Sequence, residues 1–189
     1  MSTDLATYIS PEEYLDRERA AETKSEWIDG EICEIAGGSS NHELIAGNIH
    51  GFLWGVLKRR RFVLYKSDMR VRIPGGPYYY PDVVIAPSPP ELEDEHQDTL
   101  LNPCVVIEVL SPSTESKDRG KKLDDYRRIR SLTSYLLVAQ DQRRVDHYHR
   151  EGDEWRLEIL TEPTVSLHLP EIGCELPLVE IYDRVSGGE

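Results

Sequence analysis

The stretch from Tyr80 to Tyr126 holds the residues best able to do chemistry. Pro81-Asp82 opens the apolar run Val83-Val84-Ile85, and Glu108 closes Val105-Val106-Ile107. Lys122 follows on a helical pattern with Tyr126. An ionised carboxylate among buried β-branched residues is costly unless something pairs with it. Two carboxylates brought together repel unless they share a cation or one keeps its proton. Two acids, one lysine and strand ends are the parts of a metal-dependent phosphodiesterase.

The elements that must position these residues can be read along the chain. Ser10-Pro11-Glu12-Glu13 starts a helix running to about Ala21, with a capping residue, Pro at the first position and acids in the first turn. Glu26 to Ile35 reads as a hairpin turning at Asp29-Gly30. Leu44, Ile45, Ile49, Phe52, Leu53, Val56 and Leu57 recur at helical spacing after Ser40-Asn41 and predict a long core helix. Arg61 to Ile73 reads as one strand closed by Pro74-Gly75-Gly76-Pro77, and Tyr78 to Ala86 as a second. The acidic, proline-rich run from Pro87 to Pro103 reads as a solvated loop. A buried strand at Cys104–Leu110 and a helix at Ser116–Arg130 follow, then strands at Ser134–Ala139, Arg144–His149 and Trp155–Leu160. From Pro163 the tail reads as a short strand and a helical turn near Leu178–Tyr182. The pattern predicts a single α/β domain over 1–189: a mixed central sheet flanked by helices, with an additional C-terminal antiparallel strand set.

Composition narrows the setting. The 189 residues are 39% hydrophobic and 30% charged, which describes a globular chain with enough length for a core. Met1-Ser2-Thr3-Asp4 shows no signal-peptide pattern, and no apolar run is long enough to span a bilayer. Cys33, Cys104 and Cys174 are widely spaced among apolar neighbours and read as buried thiols, so a cytoplasmic protein without membrane association is expected. The formal net charge of −13 argues against indiscriminate binding of phosphate backbones. Lys58-Arg59-Arg60-Arg61, Arg70, Arg72, Lys117, Arg119 and Lys122 are the cations that would have to gather on one face to hold nucleic acid.

Three runs carry a resemblance: Tyr79-Tyr80-Pro81-Asp82-Val83-Val84, Glu108-Val109-Leu110-Ser111-Pro112-Ser113-Thr114, and Asp118-Arg119-Gly120-Lys121-Lys122 with Tyr126. Together with Glu26-Trp27-Ile28-Asp29-Gly30-Glu31 and His42, they closely resemble the Uma-two family of restriction-endonuclease-like proteins in the PD-(D/E)XK nuclease superfamily. The likeness runs from Pro11 to about Tyr182. It implies a restriction-endonuclease-like fold and Mg²⁺-dependent cleavage of DNA, with Mn²⁺ as a substitute metal.

One departure from the superfamily pattern stands out. The lysine expected two residues after Glu108 is Leu110. Lys122 shares a helical stripe with Asp118, Tyr126 and Ile129, whereas Lys121 lines up with Asp124, Asp125 and Arg128 on a solvated face. Lys122 is therefore the choice, and a migrated lysine is also what the resemblance implies. Asp82 and Glu108 would be the metal ligands, joined, as the fold implies, by the Val109 carbonyl. Lys122 would orient or deprotonate the attacking water, and its replacement is expected to leave folding nearly intact. Glu26 could approach as an outer acid of the metal site. His42 could donate to substrate or position Glu26, and Asp118 and Tyr126 would hold the lysine from one turn either side.

Each residue has a plainer reading. Asp82 could be a turn residue, Glu108 a strand-end acid, Lys122 a helix-surface partner of Asp118, Glu26 a surface acid and His42 a helix-start residue. His147 and His149 read as surface residues. Two classes of function stand: a metal-dependent endodeoxyribonuclease, or a nuclease-fold binding protein that cuts little. Cutting both strands of a duplex needs two sites, so a homodimer is expected, with Tyr148, Trp155 and Leu157 as candidate interface.

Overall fold

Helix α1 (Pro11–Ala20) begins as its sequence dictates, with Ser10 Oγ accepting from the Glu13 N–H at 3.2 Å and Pro11 in the first turn. In this computed structural model, which describes residues 8–186, the stretch Met1-Ser2-Thr3-Asp4 lies outside the described residues. Strands β1 (Ser25–Ile28) and β2 (Glu31–Glu34) form the expected hairpin. Asp29 and Gly30 both take positive φ (52° and 96°), as a two-residue hairpin turn matched to strand twist requires. Helix α2 (Ser40–Leu57) is capped by Ser39 Oγ, which accepts from the His42 N–H at 3.1 Å.

Two runs that read as single strands each change sheet. Arg61–Ile73 divides into β3 (Phe62–Lys66) and β4 (Arg70–Arg72), because the chain turns back at Lys66–Met69. Tyr78–Ala86 divides into β5 (Tyr78–Tyr79) and β6 (Val83–Pro87). Pro81 has no N–H for a ladder, so pairing stops there and resumes in another sheet. Asp82 sits at that junction.

The expected loop Pro87–Pro103 contains β7 (Thr99–Leu100) and is not simply solvated. Asp98 pairs with Arg19 at 2.9 Å and with Arg70 at 2.6 Å. Asp94 also reaches Arg19, and Glu93 reaches Arg72. β8 (Val105–Val109) follows, then a helical stretch that is not one α-helix. It runs as α3 (Glu115–Lys117), a π-helical turn (Asp118–Lys122) and α4 (Leu123–Tyr126). Tyr135 Oη donates to the Asp118 carbonyl at 3.1 Å, competing for an acceptor that a regular helix would use internally.

Strands β9 (Ser134–Val138), β10 (Val145–Glu151) and β11 (Glu154–Leu160) lie close to where sequence places them. The tail adds β12 (Ser166–Leu169), a 3₁₀ turn (Pro170–Ile172), the unanticipated β13 (Cys174–Pro177) and α5 (Leu178–Ile181).

The main sheet has the order β11-β10-β9-β8-β6-β3, antiparallel except for the central β8–β9 pair. A second sheet runs β2-β1-β5-β4-β7, and β12-β13 form a separate ribbon. Val83, Ile85, Val105 and Ile107 face α2 and the C-terminal ribbon, while Val84, Ala86 and Val106 face Tyr79, Leu123 and Tyr126. Burial on both faces explains why β6 and β8 read as unbroken apolar runs rather than alternating ones. Leu44, counted toward the core by spacing, is exposed, and Cys33 is only half-buried beside buried Cys104 and Cys174. His147, read as a surface residue, is 3% exposed and bonded to Ser134 Oγ at 3.0 Å; alternation alone could not show that the tail covers it.

The Arg19–Asp98–Arg70 bridge ties α1, the long loop and the second sheet together. The Arg19 hydrogen bond, aided by Arg70 against some burial, holds the Asp98 carboxyl below the usual carboxylate range. Its stabilisation is therefore present above the unfolded value of about 4 and lost as pH falls below it. Asp98→Asn is expected to lower Tm at neutral pH and to flatten the loss of stability below pH about 4, measured by thermal melts across pH.

Candidate active site

Side-chain alternation in β8 turns Glu108 to the same face as Val106, toward the helical stretch after the strand. There Lys122 Nζ lies 3.0 Å from Glu108 Oε1, 3.1 Å from Glu26 Oε1 and 3.4 Å from Asp118 Oδ1. Lys122 is 5% exposed and Glu108 4%, and Glu26 and Asp118 are equally enclosed. Tyr126 Oη donates to Glu108 Oε1 at 3.3 Å. Asp118 and Tyr126 thus flank the lysine from neighbouring turns, as its helical stripe suggests.

Asp82 reaches the same cleft from the sheet junction. The β6–β8 ladder pairs Val83 with Ile107 and ends there. Beyond that point the Asp82 carboxylate replaces the ladder, its Oδ2 accepting from the Val109 N–H at 2.7 Å. The Leu110 N–H bonds to Val138, so Val109 turns both its N–H and its carbonyl the other way, toward Asp82. His42 Nε2 lies 3.3 Å from Asp82 Oδ2, so this histidine contacts Asp82 rather than Glu26. A cleft of about 450 Å³ opens over Glu26, His42, Asp82, Glu108, Asp118 and Lys122.

Lys117 also belongs here. Its ammonium pairs with Glu26 Oε2 on the side opposite Lys122. Sequence reading placed it only among the general cations, because five residues do not share a face of an α-helix. A π turn, with its i to i+5 repeat, brings Lys117 and Lys122 to one carboxylate.

Burial pushes the Glu108 carboxyl well above the carboxylate range; Lys122 opposes the shift, while Asp118, Asp82 and Glu26 add to it. Burial works against a charged Lys122, but Glu108, Glu26 and Asp118 outweigh it and hold the ammonium well above the ordinary lysine value. Burial would also raise Glu26, yet Lys122 and Lys117 keep it below its usual value. Burial raises Asp118 despite Lys122. The hydrogen bond to Asp82 raises His42, with burial opposing and the charges of Asp82, Glu43 and Asp118 assisting. Lys122 is therefore a retained cation, and Glu108 is an acid that ionises reluctantly without more positive charge.

Five carboxylates line the cleft against two lysines and one histidine, so the local balance suits a cation. Asp82, Glu108 and the Val109 carbonyl are hard oxygen donors. Among the described residues no three His, Cys, Asp or Glu side chains form a ready metal cage. One or two carboxylates with several waters is how Mg²⁺ is usually held, so the donor set fits.

The expected gathering of positive residues is not what the fold produces. Arg70 is 3% exposed and paired with Asp98, Arg72 pairs with Glu93, and Arg119 pairs with Glu115 and Asp146. Lys58–Arg61 follow the far end of α2, about 24 Å from His42 at 1.5 Å per helical residue.

A mixed central sheet flanked by helices, which brings two acids and a helix-borne lysine to one cleft, is a restriction-endonuclease-like fold. The chain belongs to the Uma2 family, described as "Putative restriction endonuclease", which matches residues 11–178. It is 40% identical to the Synechocystis protein sll1609 over 151 residues, covering 79% of this chain and 85% of that one. With Synechocystis slr1290 the identity is 34% over 175 residues, covering 92% and 91%. Both relatives are described as uncharacterized. Its fold is similar to the crystal structure of "a putative nuclease belonging to DUF820" from Anabaena variabilis, with a TM-score of 0.71 at 20% identity, over 86% of this chain and 91% of that one.

The burial of Lys122 overturns the expectation that its loss would spare folding. Removing one partner of a buried ion cluster leaves uncompensated charge, so Lys122→Ala is expected to cost about 3–5 kcal/mol in urea unfolding. Lys121, half-exposed beside Asp29 and Asp125, should cost less than about 1 kcal/mol when replaced by Ala. Equal losses would refute the role of Lys122 as the buried hub.

Proposed function

We propose that this chain is a Mg²⁺-dependent endodeoxyribonuclease, with Mn²⁺ able to substitute. The observation that carries this reading is the convergence of Lys122 on Glu108 and Glu26 in the cleft that Asp82 enters from the sheet junction. When bound between Asp82, Glu108 and the Val109 carbonyl, the metal would lower the pKa of a coordinated water and offset phosphate charge. Lys122 orients the attacking water and adds positive charge beside the phosphate. Its raised pKa favours these roles over proton abstraction. Glu26 and Asp118 hold the ammonium in place, Tyr126 fixes Glu108, and His42 and the Val109 N–H fix Asp82. A reducing, cytoplasmic setting suits the free thiols.

The pairing of Arg70, Arg72, Arg119 and Lys117 with nearby acids favours a second reading, a nuclease-fold protein that binds without cutting. Few unpaired cations remain at the cleft, so affinity should depend on the metal and fall with salt. The test is a divalent-metal titration with single-stranded, duplex and branched DNA. Cleavage is expected with Mg²⁺ or Mn²⁺, and Asp82→Ala should abolish it and weaken binding in Ca²⁺. Metal-dependent binding without cleavage supports the second reading. No binding with either metal at low salt defeats the nuclease reading and leaves a nuclease fold used for another interaction.

A further inference from the structure

The last strand of the main sheet has an open side. β11 pairs only with β10, and among the described residues no backbone hydrogen bond outside that ladder involves residues 154–160. Such an edge offers unpaired N–H and carbonyl groups to another strand. Its apolar positions are not fully covered: Leu157 and Ile159 are each 47% exposed, on the same face as half-buried Trp155. On the opposite face Glu154, Arg156 and Glu158 are exposed and alternate in sign.

We propose that the free edge of β11 pairs antiparallel with β11 of a second copy of this chain, about a two-fold axis at Leu157. In that register Leu157 meets Leu157, and Trp155 of each copy meets Ile159 of the other. On the other face Arg156 of each copy meets Glu158 of the other, giving two opposite-charge pairs from one strand. Centring the axis on Arg156 would set arginine against arginine, and centring it on Glu158 would set glutamate against glutamate. Centring it between residues would place charged side chains against apolar ones. The sequence therefore selects one register.

Arg156 already reaches Glu151 of its own chain at 2.7 Å. A guanidinium has donors enough for both carboxylates. The resulting contact is isologous and closed, so it stops at two copies. It also revises the candidate interface read from sequence: half-buried Tyr148 packs against the core, and Trp155 lies against Arg150 with 4.7 Å between guanidinium carbon and ring centre. The aliphatic pair Leu157 and Ile159 carries the exposed apolar surface.

The test reads association and is independent of whether the chain cuts DNA. Sedimentation velocity of the wild-type chain should show a mass that doubles with rising concentration. Arg156→Glu alone and Glu158→Arg alone should each sediment as monomers, with circular dichroism confirming the fold. Mixing those two variants restores both opposite-charge pairs and should restore the doubled mass. Leu157→Cys should form an intermolecular disulfide on mild oxidation, since directly facing Cα atoms lie about 4.5–5.5 Å apart, within disulfide reach. Glu154→Cys, which faces Leu160 rather than itself, should not. A wild-type chain that stays monomeric overturns the proposal. So does a dimer that survives both single charge reversals, or capture of β11 by a different protein while the chain itself stays monomeric.

Discussion

The ammonium of Lys122, enclosed by three carboxylates, is the interaction on which the rest of the site depends. Burying one charge is prohibitive, and burying several is possible only where each compensates another. Lys122 joins β1 through Glu26, β8 through Glu108 and its own helical stretch through Asp118. One side chain thus links both larger sheets to the helix between β8 and β9. Burial makes Glu108 hard to ionise, and the acids that outnumber the lysines at this point add to it. The same groups that hold the fold together are left wanting positive charge.

Two backbone irregularities create the arrangement. The stop at Pro81 releases β6 from the strand before it and sets Asp82 against the Val109 N–H. The π turn over Asp118–Lys122 stacks Lys117 and Lys122 on Glu26. Regular strands and helices would place these groups on different faces. Tyr135, reaching the Asp118 carbonyl from β9, ties the second irregularity to the central sheet.

The residues that gather at the cleft were easier to read from sequence than the connections between elements. Asp82, Glu108 and Lys122 were legible because polar residues interrupt apolar runs, and Lys122 separated from Lys121 by helical spacing alone. The division of Tyr78–Ala86 had a signal in Pro81, but periodicity cannot say that the halves join different sheets. The long acidic loop looked solvated because its partners, Arg19 and Arg70, lie far away in the chain. Lys117 escaped notice for a geometric reason, since a π turn has no distinct residue pattern. His147 shows the limit on burial: its strand alternates as an exposed one would, and a distant ribbon decides otherwise.

Helix α2 fixes a length as well as a core. His42 stands in its first turn beside Asp82, while Lys58–Arg61 emerge at its far end. The helix is thus a rigid ruler of about 24 Å between the acid cleft and the basic run Lys58–Arg61. At about 3.4 Å per base step, that separation equals roughly seven steps of a straight duplex. The two ends of α2 thus carry opposite charge, acids beside His42 and cations after Leu57, held apart by that fixed length.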